Sequence, residues 1–414
     1  MKRFSYKRYS LAGIDIGSSK ICCWIGMVDG KGDPKILGAS YAASQGVFSG
    51  NLTDISALEK TLMTVLYEAE QKAKIRTRDA ILTLSGAFFS SDYHTVTLPL
   101  VNGYVTPADI QMVTSHIMKK RGAGYHPLHI IPLDFEVDEQ KNVQNPKGMR
   151  GKEMTVQLYV LWIYVSRLNT LLDCLKHCQV NVINIVFSGY SAALSCLVPD
   201  EQELGATLVD IGASGTTISC FFKNKMVASH FVPLGGYHVT QDIARGCETS
   251  LLQAERIKIL YGAAMPSQND HREMISLLPL GERDETAAIQ IARSFLINIV
   301  QARIEEIMRY VRRYLEQVFQ QYPFATQRII LTGGGSQTPG LRERAHQILE
   351  RPVRIAKPLV LPHAEFSSAD FSAVIGTFFY TGVSSLSKEP CFREDAGRTY
   401  LPFKKISTWL RKNL

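Results

Sequence analysis

The sequence predicts an α/β protein built of two related halves that close on one ligand from opposite sides. Three observations lead there. A strand–turn–strand pattern occurs twice, three consecutive glycines separate a strand from a helix, and 414 residues exceed what one ordinary core accommodates. The first copy of the pattern is LAGIDIGSSKICCWIGMV (11–28) and the second is GATLVDIGASGTTISCFF (205–222). Each reads as an apolar strand, an Asp, one apolar residue, a Gly, a run of small or hydroxyl residues, and a second apolar strand. This is a β-hairpin with a small-residue tip.

Such a tip has specific chemistry. Gly17 and Gly212 let backbone approach a ligand, and successive N–H groups in a tight turn form an anion-binding concavity. Ser18, Ser19, Thr216 and Thr217 add hydroxyl donors for phosphate oxygens, and Lys20 can reach a phosphate as a point charge. Asp15 and Asp210, at the strand ends, are placed to hold Mg²⁺ through water, because that ion keeps several waters. One copy alone reads more simply as a plain hairpin turn. Two copies between apolar strands suggest two halves around one ligand.

The glycine run lies in RIILTGGGSQTPGLRERAHQIL (328–349), where a strand leads through Gly333, Gly334 and Gly335 to a helix opened by Pro339. Glycines there suit close approach of a flat ligand or a phosphate. No GxxxxGK[ST] and no GxGxxG is present, which excludes the two commonest nucleotide loops.

Composition bounds the rest. Apolar residues make up 45% and charged residues 20%, an ordinary globular balance, and the net charge of +8 admits acidic partners without choosing among them. Eight cysteines (Cys22, Cys23, Cys174, Cys178, Cys196, Cys220, Cys247 and Cys391) match no zinc spacing, and they read as small core residues in a reduced compartment. The basic start MKRFSYKRYS has no apolar stretch of signal-peptide length. No run approaches the roughly 18 apolar residues of a membrane span, so a soluble or peripheral protein is expected.

The order of the two Asp-x-Gly hairpins, the glycine loop and a late helix carrying Gly376 (DFSAVIGTFFY) resembles the superfamily of actin, heat-shock chaperones and sugar kinases. Within it, four further stretches resemble the FtsA family of bacterial cell-division proteins: NPKGMRGKEM (145–154), LGGYHVTQDIARG (234–246), QAERIKILYGAA (253–264) and the ending KKISTWLRKNL. The resemblance implies an actin-like pair of ribonuclease-H-like domains with a small α+β insertion and a C-terminal amphipathic helix. Laid on this sequence, subdomain 1A opens over 1–84 with a helix at 56–73. An inserted 1C domain of the SHS2 type follows at 85–165, and 1A resumes over 166–203. Subdomain 2A covers 204–236 and 305–360 around a helical 2B at 237–304, and the chain returns to 1A at 361–383.

Site roles follow from the same resemblance. Asp15, Gly17, Ser18, Ser19 and Lys20 match the first phosphate loop, and Asp210, Gly212, Ser214, Gly215 and Thr216 the second. Gly333, Gly334 and Gly335 match the adenosine loop, and Glu255 with Lys258 the pair beside ribose and base. From the residues alone, that last pair is also an ordinary i,i+3 helix pair. The implied ligands are ATP and Mg²⁺. Where the family has consecutive glycines, the second loop reads Gly212-Ala213-Ser214-Gly215. Ala and Ser tolerate a left-handed backbone poorly, so a shifted turn or a weaker site is expected. Tyr159 and Trp162 stand where relatives often carry His and Thr, and they read as packing changes.

No residue is assigned a catalytic role. Hydrolysing relatives place Gln or Glu where this chain has NIVFSGYSAALS (184–195), which offers no acid or amide after Asn184. Positioning and electrostatics are most of phosphoryl transfer, so at most a slow ATPase is expected. Rival readings are a sugar-kinase-type enzyme, an MreB-like filament and a pilus-assembly ATPase. The segment 85–165 argues against the first two and the tail against the third.

Residues 384–402 are turn-rich and without period, and they read as a linker. In 403–414, a helix places Phe403, Ile406, Trp409, Leu410 and Leu414 on one arc and Lys404, Lys405, Arg411 and Lys412 on the other. Trp at the boundary of a wholly basic polar face is the pattern of an interfacial membrane helix. The alternative is a helix docked on the protein's own core.

The run from Ile289 to Val318, apolar at 291, 295, 299, 304, 307, 308, 311, 315 and 318, predicts a core-facing helix pair. Its start borders the surface where the family receives the FtsZ C-terminal peptide, which makes Arg303 a candidate contact. The implied partners are that peptide, anionic lipid, further copies of the chain and later division proteins, with no nucleic acid. The implied location is the cytoplasmic face of the inner membrane at the division site.

Overall fold

A computed structural model describes residues 9–28, 34–86, 89–120, 124–282, 284–359, 367–384, 393–395 and 398–400. The first hairpin is formed by β1 (Tyr9–Ile16) and β2 (Lys20–Val28), and β3 (Lys35–Ala43) adds antiparallel to β2. A short ladder, β4 (Val47–Phe48) with β5 (Asn51–Leu52), leads into α1 (Ile55–Ala73). Asp54 caps α1 by accepting from Ala57 N at 3.0 Å. Leu58, Leu62, Val65, Ala69 and Ala73 form its buried stripe. The chain then enters β6 (Asp79–Leu84), parallel to β1.

An inserted unit follows: β7 (Phe89–Pro99), α2 (Pro107–Lys120), β8 (Tyr125–Val137), β9 (Gln140–Val143) and β10 (Glu153–Tyr164). Its sheet runs β7-β10-β8-β9 and holds its own core around Val96, Ile117, Phe135, Val156 and Trp162. Helix α3 (Val165–His177) returns to β11 (Asn181–Phe187), parallel to β6. Next come α4 (Ser188–Cys196) and α5 (Pro199–Leu204).

The second half repeats the plan with β12 (Ala206–Ile211), β13 (Thr216–Phe222) and β14 (Lys225–Val232). A helical excursion carries α6 (Gly236–Gly246), α7 (Leu251–Tyr261), the ladder of β15 (Met274–Leu277) with β16 (Ile289–Ala292), and α8 (Arg293–Phe319). Then come β17 (Ile329–Thr332), α9 (Leu341–Leu349), β18 (Val353–Ile355) and α10 (Ser372–Ser384). The two main sheets, β11-β6-β1-β2-β3 and β14-β13-β12-β17-β18, correspond strand for strand when one is read backwards. Each is an antiparallel trio extended by two parallel strands. The insertions differ: one follows the fourth strand of the first half, the other precedes the fourth strand of the second.

Helices α4 and α10 cross between the halves at backbone contact. A Cβ on Gly376 would lie 1.7 Å from Ser191 O, so only glycine fits the crossing. Ser191 and Ser195 donate to the carbonyls of Ala373 and Ser372 at 2.7 and 2.8 Å.

Three expectations are corrected. The run 289–318 is a short strand and one 27-residue helix, not a helix pair, because β16 is fixed by pairing with β15. Ile304, Ile307, Met308, Val311, Leu315 and Val318 are buried as predicted, but Phe295 is exposed. The glycine run leads into a single tight turn, Gly334–Gln337, and α9 opens at Leu341, two residues after Pro339. Within 384–402, β19 (Arg393–Asp395) pairs with β20 (Arg398–Tyr400). Residues 403–414 and Cys391 lie outside the described residues. The other seven cysteines are free, and most are buried.

Candidate functional site

The hairpin tips meet between the halves. Gly17 N donates to Lys20 O at 3.0 Å, and Gly212 N donates to Gly215 O at 2.9 Å, so both tips close with the same bond. Ser18 Oγ and Ser214 Oγ are 2.8 Å apart, one from each half. Ser19 is exposed beside them. No residue of 212–215 takes a positive φ, so Ala213 and Ser214 sit in the turn without left-handed strain.

Asp15 and Asp210 lie behind the tips. Thr83 Oγ1 donates to Asp15 Oδ1 at 2.6 Å. Burial lifts the Asp15 carboxyl above the usual range, against the Thr83 hydrogen bond and the Lys20 charge. Burial and the neighbouring Asp15 push Asp210 up to about 7, with Lys20 again opposing. Gly333, at φ +83°, brings the glycine loop against the second carboxylate, where a Cβ would be 2.2 Å from Asp210 Oδ1. A Cβ on Gly335 would be 2.4 Å from Ile211 Cγ2, while Gly334 is open enough to take one.

The structure separates the remaining predicted residues by task. Thr216 is buried behind the tip, and its hydroxyl donates to Leu234 O at 2.8 Å. Glu255 and Lys258 form their ion pair on α7 at 2.7 Å. Lys258 Nζ also donates to Thr240 Oγ1 at 2.8 Å and to Gly236 O at 3.1 Å. Gly236 N in turn donates to Gly212 O at 2.9 Å, which joins the pair to the second tip. Arg303, on α8, binds Asp242 of α6 at 2.6 and 3.0 Å and also pairs with Glu306.

The donor set fits a phosphate ligand with a hydrated divalent cation. Two half-buried carboxylates with raised pKa favour a cation beside them, and the tips between them carry backbone N–H groups suited to an anion. Among the described residues, no cluster of three or more His, Cys, Asp or Glu could hold a metal ion, so water or ligand oxygens must complete its shell.

Comparison with known proteins places this geometry. Residues 207–376 match the family described as "Cell division protein FtsA" and residues 86–162 match "SHS2 domain inserted in FTSA". Cell division protein FtsA of Rhizobium meliloti (strain 1021) is 32% identical over 433 aligned positions, covering 99% of this chain and 96% of the relative. The chain belongs to the FtsA family. The FtsA of Escherichia coli (strain K12) is 26% identical over 418 positions, covering 98% of each chain. Among solved structures, a PilM–PilN type IV pilus biogenesis complex matches with a TM-score of 0.63 at 18% identity, over 92% of this chain and 100% of that one. MreB5 of Spiroplasma citri bound to ADP matches with 0.56 at 12% identity, over 90% and 95%. At those identities the structures establish the actin-like fold alone.

In this FtsA-family chain, several contacts were not found from sequence. Tyr159 Oη and Ser229 Oγ are 2.6 Å apart, and Tyr93 Oη donates to Val227 O at 2.7 Å, tying the SHS2 insertion to β14. Tyr159 is therefore a bridge to the second half as well as a packing residue. Ser49 N donates to Ser18 Oγ at 3.0 Å, and Phe48 meets Tyr237 edge-on across the cleft at 5.1 Å. Lys20 pairs with Asp370, ahead of α10. A lone Asp in DFSAVIG carries no local mark of this; only the FtsA-like order of segments hinted that α10 returns to the cleft. No helix among the described residues is long and apolar enough to cross a membrane.

Proposed function

We propose that this actin-like division protein binds ATP with Mg²⁺ between its hairpins and tethers FtsZ to the cytoplasmic face of the inner membrane, at the division site. The observation that carries the nucleotide reading is the meeting of Ser18 and Ser214 in front of Asp15 and Asp210. The tips supply N–H groups and hydroxyls to phosphate, and the carboxylates hold the cation's waters. Gly333–Gly335 and the Glu255–Lys258 pair flank the nucleoside. Residues 184–195 offer no acid or amide after Asn184 to position water, and Ser191 and Ser195 bind α10. Turnover is therefore slow, below the common enzyme range of about 1 s⁻¹. Titration calorimetry tests the reading: Asp210→Ala should weaken Mg-ATP binding roughly 30-fold or more, the scale of a lost charge-assisted contact. Unchanged affinity removes Asp210 from the site.

The tether reading rests on family membership and on the tail's pattern. The helical subdomain, with Arg303 at its border, receives the FtsZ C-terminal peptide, and 403–414 binds anionic lipid beyond the linker. Self-association and recruitment of later division proteins belong to the same reading. Full-length protein should co-sediment with anionic liposomes, whereas Trp409→Glu and a chain ending at Tyr400 should stay in the supernatant. Apolar burial of about 25 cal/mol per Å² and around 1 kcal/mol per basic residue set the binding strength. Equal pelleting of all three chains would remove the tail as anchor.

A further inference from the structure

Lys20 is the cation of the first tip, and its ammonium is engaged by residues of the chain itself. It pairs with Asp370 Oδ2 and sits 4.0 Å from the centroid of the Phe371 ring, within cation–π range. Asp370 lies on the turn Ala369–Phe371 that opens into α10. Ala369 O of the same turn accepts from Gly333 N and from Thr332 Oγ1, each at 3.2 Å. The pair thus ties the first tip to the glycine loop of the second half.

Three features set it apart from an ordinary surface ion pair. Asp370 Oδ1 is buried and has no hydrogen-bond partner among the described residues, while, against burial, Lys20 and the Ser368 hydroxyl hold the carboxyl below its usual range. Its side chain and that of Lys20 nevertheless keep 25% and 18% exposure, enough for either to swing out. Lys20 is also the cation whose charge acts on Asp15, Asp210 and Asp370 alike.

We propose that Asp370 is a gate on Lys20: it neutralises the ammonium in the ligand-free cleft, and a polyphosphate must displace it to engage that charge. This rests on the nucleotide reading above. A carboxylate and a phosphate compete for the same donors, and the more highly charged phosphate wins the flexible lysine. Asp370 therefore lowers nucleotide affinity. Its release frees the turn before α10, which couples loading of the cleft to the helix crossing between the halves.

The test is calorimetric titration of Mg-ADP into full-length wild type, Asp370→Asn, Asp370→Glu, Lys20→Gln and the Lys20→Gln/Asp370→Asn double variant, with folding checked by circular dichroism. Asp370→Asn should tighten binding roughly five- to ten-fold at low salt, the scale of one partly exposed ion pair, and less at high salt. Asp370→Glu should restore wild-type affinity, and the double variant should bind no tighter than Lys20→Gln. Asp370→Ser, a smaller replacement, should behave as Asn and serves if the Asn variant does not fold. Unchanged or weaker binding by both Asp370→Asn and Asp370→Ser, with wild type still binding, overturns the gate and leaves the nucleotide site standing. An equal gain without Lys20 also overturns it, since Asp370 would then act on the ligand directly. Absence of binding by wild type defeats the nucleotide reading and the gate together.

Discussion

At the first hairpin tip the residue that closes the turn is Lys20, whereas at the second it is Gly215, where a Cβ would fall 2.2 Å from Phe231 Cζ. At the matching positions Gly17 and Gly212 a Cβ would meet only the turn's own carbonyl, at 3.0 and 3.1 Å. The tips close with the same hydrogen bond and contribute to the same cleft, yet the position that holds a long charged side chain in one is walled by an aromatic ring in the other. The wall continues into α6: Gly236 N and Tyr237 N donate to Gly212 O and Ala213 O at 2.9 and 2.8 Å. At the first tip the clasp comes from its own sheet instead, Ser44 N just beyond β3 donating to Ser19 O at 2.9 Å, and this tip carries the charge, Lys20. Duplication has kept the turn and divided the work. The second tip is a wall coupled to the helical subdomain, and the first brings to it a cation held by Asp370 and the Phe371 ring.

The largest expected effect breaks this comparison by adding a methyl group at each tip. Gly215→Ala forces its methyl into the Phe231 ring and should lose about 2–3 kcal/mol of stability, the scale of overpacking in a filled core. Gly17→Ala should lose less than about 1 kcal/mol, because a single carbonyl needs to give by only a few tenths of an ångström. Urea unfolding of the two variants measures both. Equal losses would mean that the second tip is no more tightly held than the first.

The carboxylates behind the tips sharpen the comparison through pH. Asp210 titrates at about 7 in the folded chain, from a usual value of 3.8. Between those values the folded state holds a proton that the unfolded state has released. Asp210 thus contributes stability that is fully present below pH 3.8 and is lost as pH rises to about 7. His129, buried and lowered to about 4 from 6.5, runs the opposite way: its contribution is lost as pH falls through that window. The wild-type curve alone therefore mixes signs. The difference between wild type and Asp210→Asn isolates the aspartate. Wild type should lose ground against the variant from pH 4 to pH 7 and then level off, read by thermal unfolding across pH without nucleotide.

What could be read from sequence was what local pattern encodes. Each Asp-x-Gly tip is set by a few adjacent residues between apolar strands, and the helix expected at 56–73 runs from Ile55 to Ala73 on an i,i+3/i+4 stripe. What could not be read depends on pairing at a distance. Asp370 meets Lys20 from 350 residues away, and neither neighbourhood announces the other. The strand Ile289–Ala292 looks helical until Met274–Leu277 is beside it, since four residues are too few to display a period. The backbone sign at Ala213 and Ser214 is likewise a property of the closed turn, which neither residue's identity reveals.

The smallest effect concerns the contact where the tips touch. Ser18 and Ser214 are joined by one hydrogen bond, and Ser49 N also donates to Ser18, so the two hydroxyls are not equivalent. Ser214→Ala removes the link between the halves and leaves the Ser49 bond in place. Ser18→Ala removes both and strands Ser49 N. Each single variant should lose about 0.5–1.5 kcal/mol, with Ser18→Ala the larger, and the double variant less than their sum, because the shared bond is counted twice. A coupling of about 0.5 kcal/mol or more in the ligand-free protein would show that the tips hold the halves together before any ligand arrives. Additive losses would mean that the hydroxyls are merely adjacent, and that closure of the cleft depends on α4, α10 and the Phe48–Tyr237 contact instead.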